Sequence, residues 1–241
     1  MWRVTTLVNR QSALDEAQFS RRWQDELVPA IRDALQNLGT LRKLILDVPP
    51  TALSEKVRAV FPPQFDGMAE FWFDTAEDAA AAMKALSQDT ALRSLAASIV
   101  SAADGVAWLA KVVPSKPDSG SVVKFLAAGD IVDTLTLEEA QSYWANVHPV
   151  VAQTVPETWN MLTRYTQFHG RPTPTLEMGD WLAQYRFVPM AADMGFADAE
   201  DFIAMYTHED YLAVIRPDEE KFSRPGEMLS FVTGEERLLV G

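Results

Sequence analysis

Apolar positions along this chain fall into short runs, and the runs come in the same order twice. "RVTTLVN", from Arg3, reads as a strand because its residues are β-branched or apolar and alternate loosely. A helix start follows, with Ser12 and Asp15 spaced as a weak cap ahead of an apolar period that includes Leu14, Phe19 and Trp23. "LRKLILDV" from Leu41 and "FDGMAEFWF" from Phe65 are two further strands. "TAEDAAAAMKALS", with Thr75 and Asp78 as a cap and an acidic first turn, is a second helix. "GVAWLAKVV" from Gly105 closes the set as a fourth strand.

The second set begins with "SVVKFLA" from Ser121. It continues with a helix opened by Thr136 and Glu139 at capping-box spacing. Strands "LTRYTQFH" from Leu162 and "DWLAQYRFV" from Asp180 come next. A helix "FADAEDFIAMYTHEDYLAVI" from Phe196 and a last strand "EMLSFVTG" from Glu227 complete it. Aligned without gaps, Leu14 meets Leu135 and Trp23 meets Trp144, and a proline follows each tryptophan, at Pro29 and Pro149. Between the sets lies "PSKPDSG", a stretch with no strongly apolar residue.

The order β-α-β-β-α-β is the ferredoxin-like unit, an antiparallel sheet with helices on one face. Its bare face has to be covered. In "FDGMAEFWF" one face carries Phe65, Ala69, Phe71 and Phe73, and the other carries Met68 and Trp72 beside Asp66 and Glu70. A strand apolar on both sides is covered on both sides. The predicted fold is therefore α+β: two tandem ferredoxin-like units packed sheet to sheet within one chain. Residues 1–113 form the first half, 114–120 a linker and 121–241 the second half, with a homodimer of such pseudo-dimers as a further expectation.

Composition narrows the function. The net charge of −13 argues against nucleic acid and against an anionic membrane surface. The hydrophobic fraction of 48% supplies a sizeable core. The absence of cysteine removes disulfides, thiolate nucleophiles and cysteine-based metal sites. The N-terminal residues do not read as a signal peptide, and no run approaches the ~18 apolar residues of a membrane span. A soluble, cytoplasmic protein is the expectation. No glycine-rich phosphate loop, zinc-protease helix or nucleophile elbow is present, and three scattered histidines do not suggest a metal site. Expected chemistry is proton transfer with no metal and no cofactor.

The candidate residues follow from placement. His148 sits in "SYWANVHPVV" on a helical stripe with Trp144 and Val151. Pro149 cannot donate to the carbonyl of Ala145, so the helix should bend or stop there and open space beside the imidazole. The ring then serves as a general acid or base, or else is half-buried and bonded to a backbone carbonyl. Tyr165, Gln167 and His169 share one strand face. Tyr165 is the hydrogen-bond donor of choice. His169 either lines a cavity or is the solvent-exposed strand end, the second being favoured. Gln184 and Arg186 share a face of "DWLAQYRFV". An arginine in a covered strand needs an anion, either a substrate carboxylate or enolate or, more commonly, a protein carboxylate such as Asp66 or Glu70. Glu70, flanked by Met68 and Trp72, is a pocket candidate, and Trp144 and Trp159 suit an aromatic wall.

"FDGMAEFWFDTAEDAAAAM", "LTLEEAQSYWANVHPVV" and "RPDEEKF" together resemble the EthD family. That resemblance implies the dimeric α/β-barrel architecture and a substrate style, since family members include dehydratases and cyclases of aromatic or polyketide-like metabolism. The first half departs from the pattern: Leu27 stands where the family has histidine, and "LAASIVSAADG" replaces the late acidic signature. The expectation is an unequal pair in which the second half keeps the site.

The leading functional expectation is a cofactor-independent lyase or isomerase. His148 would be its acid or base, with Tyr165, Gln184 or Arg186 holding an oxyanion and Trp144, Trp72, Glu70 and His169 around the substrate. A non-catalytic binding protein is the alternative, and a cofactor-free oxygenase the third.

Overall fold

Strand β1 (Trp2–Arg10) lies between β3 (Gly67–Phe73) and β4 (Val100–Lys116), antiparallel to both. Strand β2 (Leu41–Val48) pairs on the far side of β3. This is the strand order of a ferredoxin-like unit. The C-terminal half repeats it with β5 (Val123–Gly129) between β8 (Met190–Phe196) and β9 (Leu229–Thr233), and with β6 (Leu162–Gly170) beyond β8. The computed structural model describes residues 1–48, 55–172, 178–226 and 228–241.

Two long strands join the halves. The first part of β4 pairs with β1, and its end, Ala110 to Lys116, pairs with β6 of the other half. Correspondingly, β9 pairs with β5, and β10 (Glu235–Val240), one residue later, pairs with β2 of the first half. The path therefore runs β10-β2-β3-β1-β4-β6-β8-β5-β9, and its two ends are separated in the chain by Gly234 alone. The result is a nearly closed antiparallel barrel. Residues 114–116, expected as linker, continue β4. Among the described residues, no helix is long and apolar enough to cross a membrane.

The helices cover the outside of each half. In the first, α1 (Glu16–Arg22) starts at Asp15, whose carboxylate accepts from Gln18 N while Gln18 reciprocates; Asp15 and Gln18 make this capping box, and Ser12 takes no part. Helix α1 passes through a π-turn (Trp23–Leu27) into α2 (Val28–Leu38). The wider turn absorbs the donor that Pro29 lacks. Leu27 is fully buried and closes that helix onto the sheet. Then follow α3 (Glu55–Val60), α4 (Ala76–Gln88), capped by Thr75, and α5 (Thr90–Ala97).

In the second half, Thr136 and Glu139 form the reciprocal cap of α6 (Leu137–Asn146). Here the chain does not absorb the proline. Helix α6 stops at Asn146, Val147 turns, and α7 (His148–Gln153) restarts with Pro149 in its first turn. Helices α8 (Pro156–Met161) and α9 (Ala199–Thr207), a π-turn (Tyr211–Ile215) and α10 (Arg216–Glu219) complete the layer.

One strand expectation is corrected. The third strand of the second half is Met190–Phe196, not the stretch from Asp180 to Val188. That stretch contributes only the two-residue β7 (Gln184–Tyr185), which runs parallel to β4. Its preceding residues Met178, Trp181 and Leu182 are buried in the core under the helices of the first half. Apolar alternation misleads here because the segment is apolar for packing as a plug. It also crosses β6 closely: a Cβ on Gly170 would sit 1.8 Å from the Val188 carbonyl oxygen, so only glycine fits there. The last strand begins at Leu229; Glu227, its expected first residue, lies outside the described residues.

Between the sheets, the inner faces carry charge. Arg3 of β1 and Lys124 of β5 are buried in the barrel with Asp47, Glu70 and Asp193. Each cation reaches into the other half. Arg3 pairs with Glu70 at 3.1 Å and with Asp193, and Lys124 pairs with Asp47 at 2.8 Å and with Glu70. Glu236 of β10 adds a contact to Lys124 at 3.0 Å. Two cations thus face three buried carboxylates. Burial pushes the Asp47 carboxyl up, against the pull of Lys124. Glu70 behaves oppositely: burial would raise it, but Arg3 and Lys124 hold it down at about 2.

Candidate functional site

A cavity of about 460 Å³ lies in the C-terminal half, between its helices and the outer face of its sheet. The break between α6 and α7 delivers His148 to its wall. Trp144, one turn earlier, and Tyr165 of β6 line it too, and the indole Nε1 of Trp144 donates to the Tyr165 hydroxyl at 2.7 Å. Trp159, Met190, Met194, Met205 and Phe222 make most of the remaining wall apolar.

His148 is bonded to a carboxylate rather than to a backbone carbonyl. Its Nδ1 lies 2.8 Å from Asp218 Oδ2. The other Asp218 oxygen accepts from the Tyr143 hydroxyl at 2.6 Å and from Lys221 Nζ at 2.9 Å. Burial would raise Asp218, but the donors Tyr143, His148 and Lys221 outweigh it and hold the carboxyl below the ordinary range. An ionised Asp218 fixes the tautomer: Nδ1 carries the hydrogen and Nε2 keeps its lone pair for the cavity. Burial lowers the imidazole below its ordinary 6.5, partly offset by Asp218. The ring is therefore neutral at pH 7 and able to accept a proton.

Glu219, the next residue, also lines the cavity. Its Oε2 accepts from Tyr211 at 3.0 Å, and Arg216 stands 3.5 Å away. Burial against the apolar wall raises its carboxyl to about 7, with Tyr211 and Arg216 opposing. Burial also raises Tyr165 above the usual phenol value, which keeps its hydrogen in place as a donor. One wall thus holds a proton acceptor, a carboxyl balanced between its two forms, and a neutral phenol.

The other expected residues lie elsewhere. His169 is buried, not solvent-exposed; its ring stacks on Trp144 at 5.2 Å, away from the cavity. Burial, with Arg171 and Lys111 nearby, pushes it down to about 4, so it is neutral packing. Its Nε2 meets Gln167 Oε1 at 3.0 Å, and Gln167 Nε2 donates to the Trp144 carbonyl at 2.8 Å; this chain sets the angle of the indole. Glu70 and Trp72 face the barrel interior, bonded to each other at 2.9 Å. Glu70 is spent on Arg3 and Lys124. Gln184 is exposed beside β4. Arg186 is exposed and has neither expected protein partner, because Asp66 pairs with Arg10 and Glu70 with the buried cations. It lines a second, outer cavity instead.

Asp218 and Glu219 were not singled out from the sequence, although "RPDEEKF" contains both. Two adjacent acids, the first buried and the second at a cavity wall, are the signal there. His148 supplied the other half of it, since a pocket histidine needs an acceptor to orient it.

The sequence profile of the EthD domain matches residues 11–93 and 133–226, which hold both first helices and the Asp-Glu pair. This chain belongs to the EthD family. EthD chains are ferredoxin-like units of the dimeric α/β-barrel superfamily, and here two are fused. Among solved structures, a variant of chlorite dismutase from Candidatus Nitrospira defluvii, in complex with cyanide, covers 96% of this chain and 90% of its own at 12% identity, with a TM-score of 0.51. A second variant of the same enzyme, at 11% identity with the same coverage, also gives 0.51. These likenesses speak to the fold alone. A provisionally named monooxygenase from Fusobacterium nucleatum covers 100% of this chain and 94% of its own at 8% identity, with a TM-score of 0.46. No curated protein matches the chain in sequence.

Proposed function

We propose that this EthD protein is a cofactor-independent lyase or isomerase acting on a small apolar molecule, aromatic or polyketide-like, held in the C-terminal cavity. The observation that carries the reading is the pairing of His148 with the buried, ionised Asp218 at 2.8 Å, on the wall of a mostly apolar cavity. His148 Nε2 takes an acidic proton from a carbon or phenol of the substrate. The electron pair stays on the substrate as an enolate or phenolate, toward which the Tyr165 hydroxyl can donate. Glu219, when protonated, returns a proton to a leaving hydroxyl, which departs as water, or to a second carbon. Exchange with solvent then moves the proton from His148 and restores Glu219. Aromatic and methionine walls bind the ring system and keep water out, which strengthens each of these interactions.

A screen of aromatic and polyketide-like carbon acids, followed by mass spectrometry with and without oxygen, tests the reading. Conversion with loss of water or an unchanged mass, at the same rate under nitrogen, is expected. Oxygen uptake with mass gain would replace it by a cofactor-free oxygenase that shares the deprotonation step. Binding without conversion would make the chain a carrier.

The two acids set the pH profile. The base must be neutral, so kcat/KM rises with pH through the lowered value of His148, below 6.5. The acid must be protonated, so the rate falls as pH passes through about 7. A narrow bell is expected in a pH series, and Glu219→Gln should remove its alkaline side while lowering the maximum.

A further inference from the structure

A second cavity, of about 770 Å³, adjoins the first. The two share Phe61, Ala128, Gly129, Gly226 and Met228 as walls, so one ligand can extend from the outer into the inner. Their chemistry differs. The inner wall is aromatic and rich in methionine, whereas the outer holds Gln64, Asp130, Arg186 and Ser230. The apolar side chains of Val60, Phe187 and Met228 are 38% to 49% exposed around it.

From this arrangement, and resting on the proposed function above, we infer that the substrate carries a carboxylate, which Arg186 holds in the outer chamber while the apolar body enters the inner one. Arg186 makes no side-chain ion pair or hydrogen bond among the described residues, and the two carboxylates expected as its partners are committed elsewhere. Asp66 is taken by Arg10, and Glu70 by Arg3 and Lys124. The planar Arg186 guanidinium offers paired N–H donors that match a carboxylate. Its place is fixed, since the Arg186 backbone N donates to the Ala107 carbonyl at 2.9 Å and β7 just before it is paired to β4. The base of the side chain is therefore tied to the barrel wall. The Gln64 amide is held by the Met228 carbonyl and the Ser230 N–H. Among the described residues, Asp130 is the one acid lining the chamber. It opposes anion entry, so removing it should tighten the same ligand. Of the arginines lining the inner cavity, Arg216 pairs with Glu219 and Arg224 with Asp133, so Arg186 is left to hold a carboxylate that gains little from the overall field of a chain of net charge −13.

The test uses matched probes, phenylhexanoic acid and phenylhexanol, titrated calorimetrically into the full chain. The acid is expected to bind at least ~10-fold tighter, the scale of one charge-assisted contact. Arg186→Gln should abolish that preference and leave the alcohol unchanged, Asp130→Asn should enlarge it, and added salt should shrink it. Equal binding of the two probes, or a preference that survives Arg186→Gln, overturns the inference and leaves the His148 chemistry standing. Failure of both probes to bind overturns the inference together with the cavity reading on which it rests.

Discussion

His148→Ala is expected to abolish most turnover while leaving the fold intact. General-base catalysis contributes on the order of 10²- to 10⁴-fold, and kcat should fall by that much, with KM for an apolar substrate little changed because the aromatic wall remains. The ring sits at a helix start, so alanine is tolerated there without a new strain. A circular dichroism melt confirms that folding survives. Asp218→Asn separates positioning from base strength. Asparagine keeps an oxygen for Tyr143 and Lys221 but loses the charge that favours the imidazolium. Asp218 raises the His148 pKa against burial, so its removal lowers it further. The acid side of the pH profile should then move to lower pH, with a reduced maximum. Wild-type turnover in His148→Ala would end the proposed mechanism.

The largest stability loss is expected from Lys124→Met. The methionine fills a similar volume, but Asp47 and Glu70 lose the ammonium that each contacts, and Arg3 is left to balance them alone. Removing one partner of a buried ion pair destabilises by about 3–5 kcal/mol. Urea unfolding should show that loss, and the Lys124→Met/Glu70→Met double variant should recover part of it, since the two changes are coupled. A loss below about 1 kcal/mol in the single variant would show that the network contributes little. The same cluster predicts the acid limit. Glu70 is held at about 2 in the folded chain against 4.5 as its ordinary value. Its contribution is complete above 4.5 and is lost as pH falls from there toward 2, so the chain should weaken across that window.

Much of the fold was readable from residue order. The twice-repeated strand and helix pattern, the Thr136–Glu139 cap and the two apolar faces of "GMAEFWF" all lead to paired units with their sheets in contact. The misplaced strand had a readable correction. "MAADMGFADAED" parallels "GMAEFWFDTAED" in its Ala-acid pair and its Phe-x-x-Ala-Glu-Asp, and that repeat locates β8 better than the alternation in residues 180–188 does. Within the site, His148 and Trp144 were legible because a proline and a helical stripe are local features. Glu70 was not. Its place depends on Arg3 and Lys124, both far from it along the chain, and such distant partners leave no mark in its own segment. Asp218 and Glu219 fall between these cases, visible as a motif but without roles until His148 faced them.

Joining two barrel halves in one polypeptide has a genetic consequence. In a dimer of identical subunits every substitution is imposed on both copies, so a change that fills one hollow fills the other. Here Leu27 occupies one copy while His148 stands in its counterpart, and Met178, Trp181 and Leu182 fill the core of the first half only. Gly234, the single residue between β9 and β10, is the hinge of that freedom: it lets one tail complete its own sheet and then fasten its neighbour's, so that the two copies can drift apart in sequence without coming apart in space.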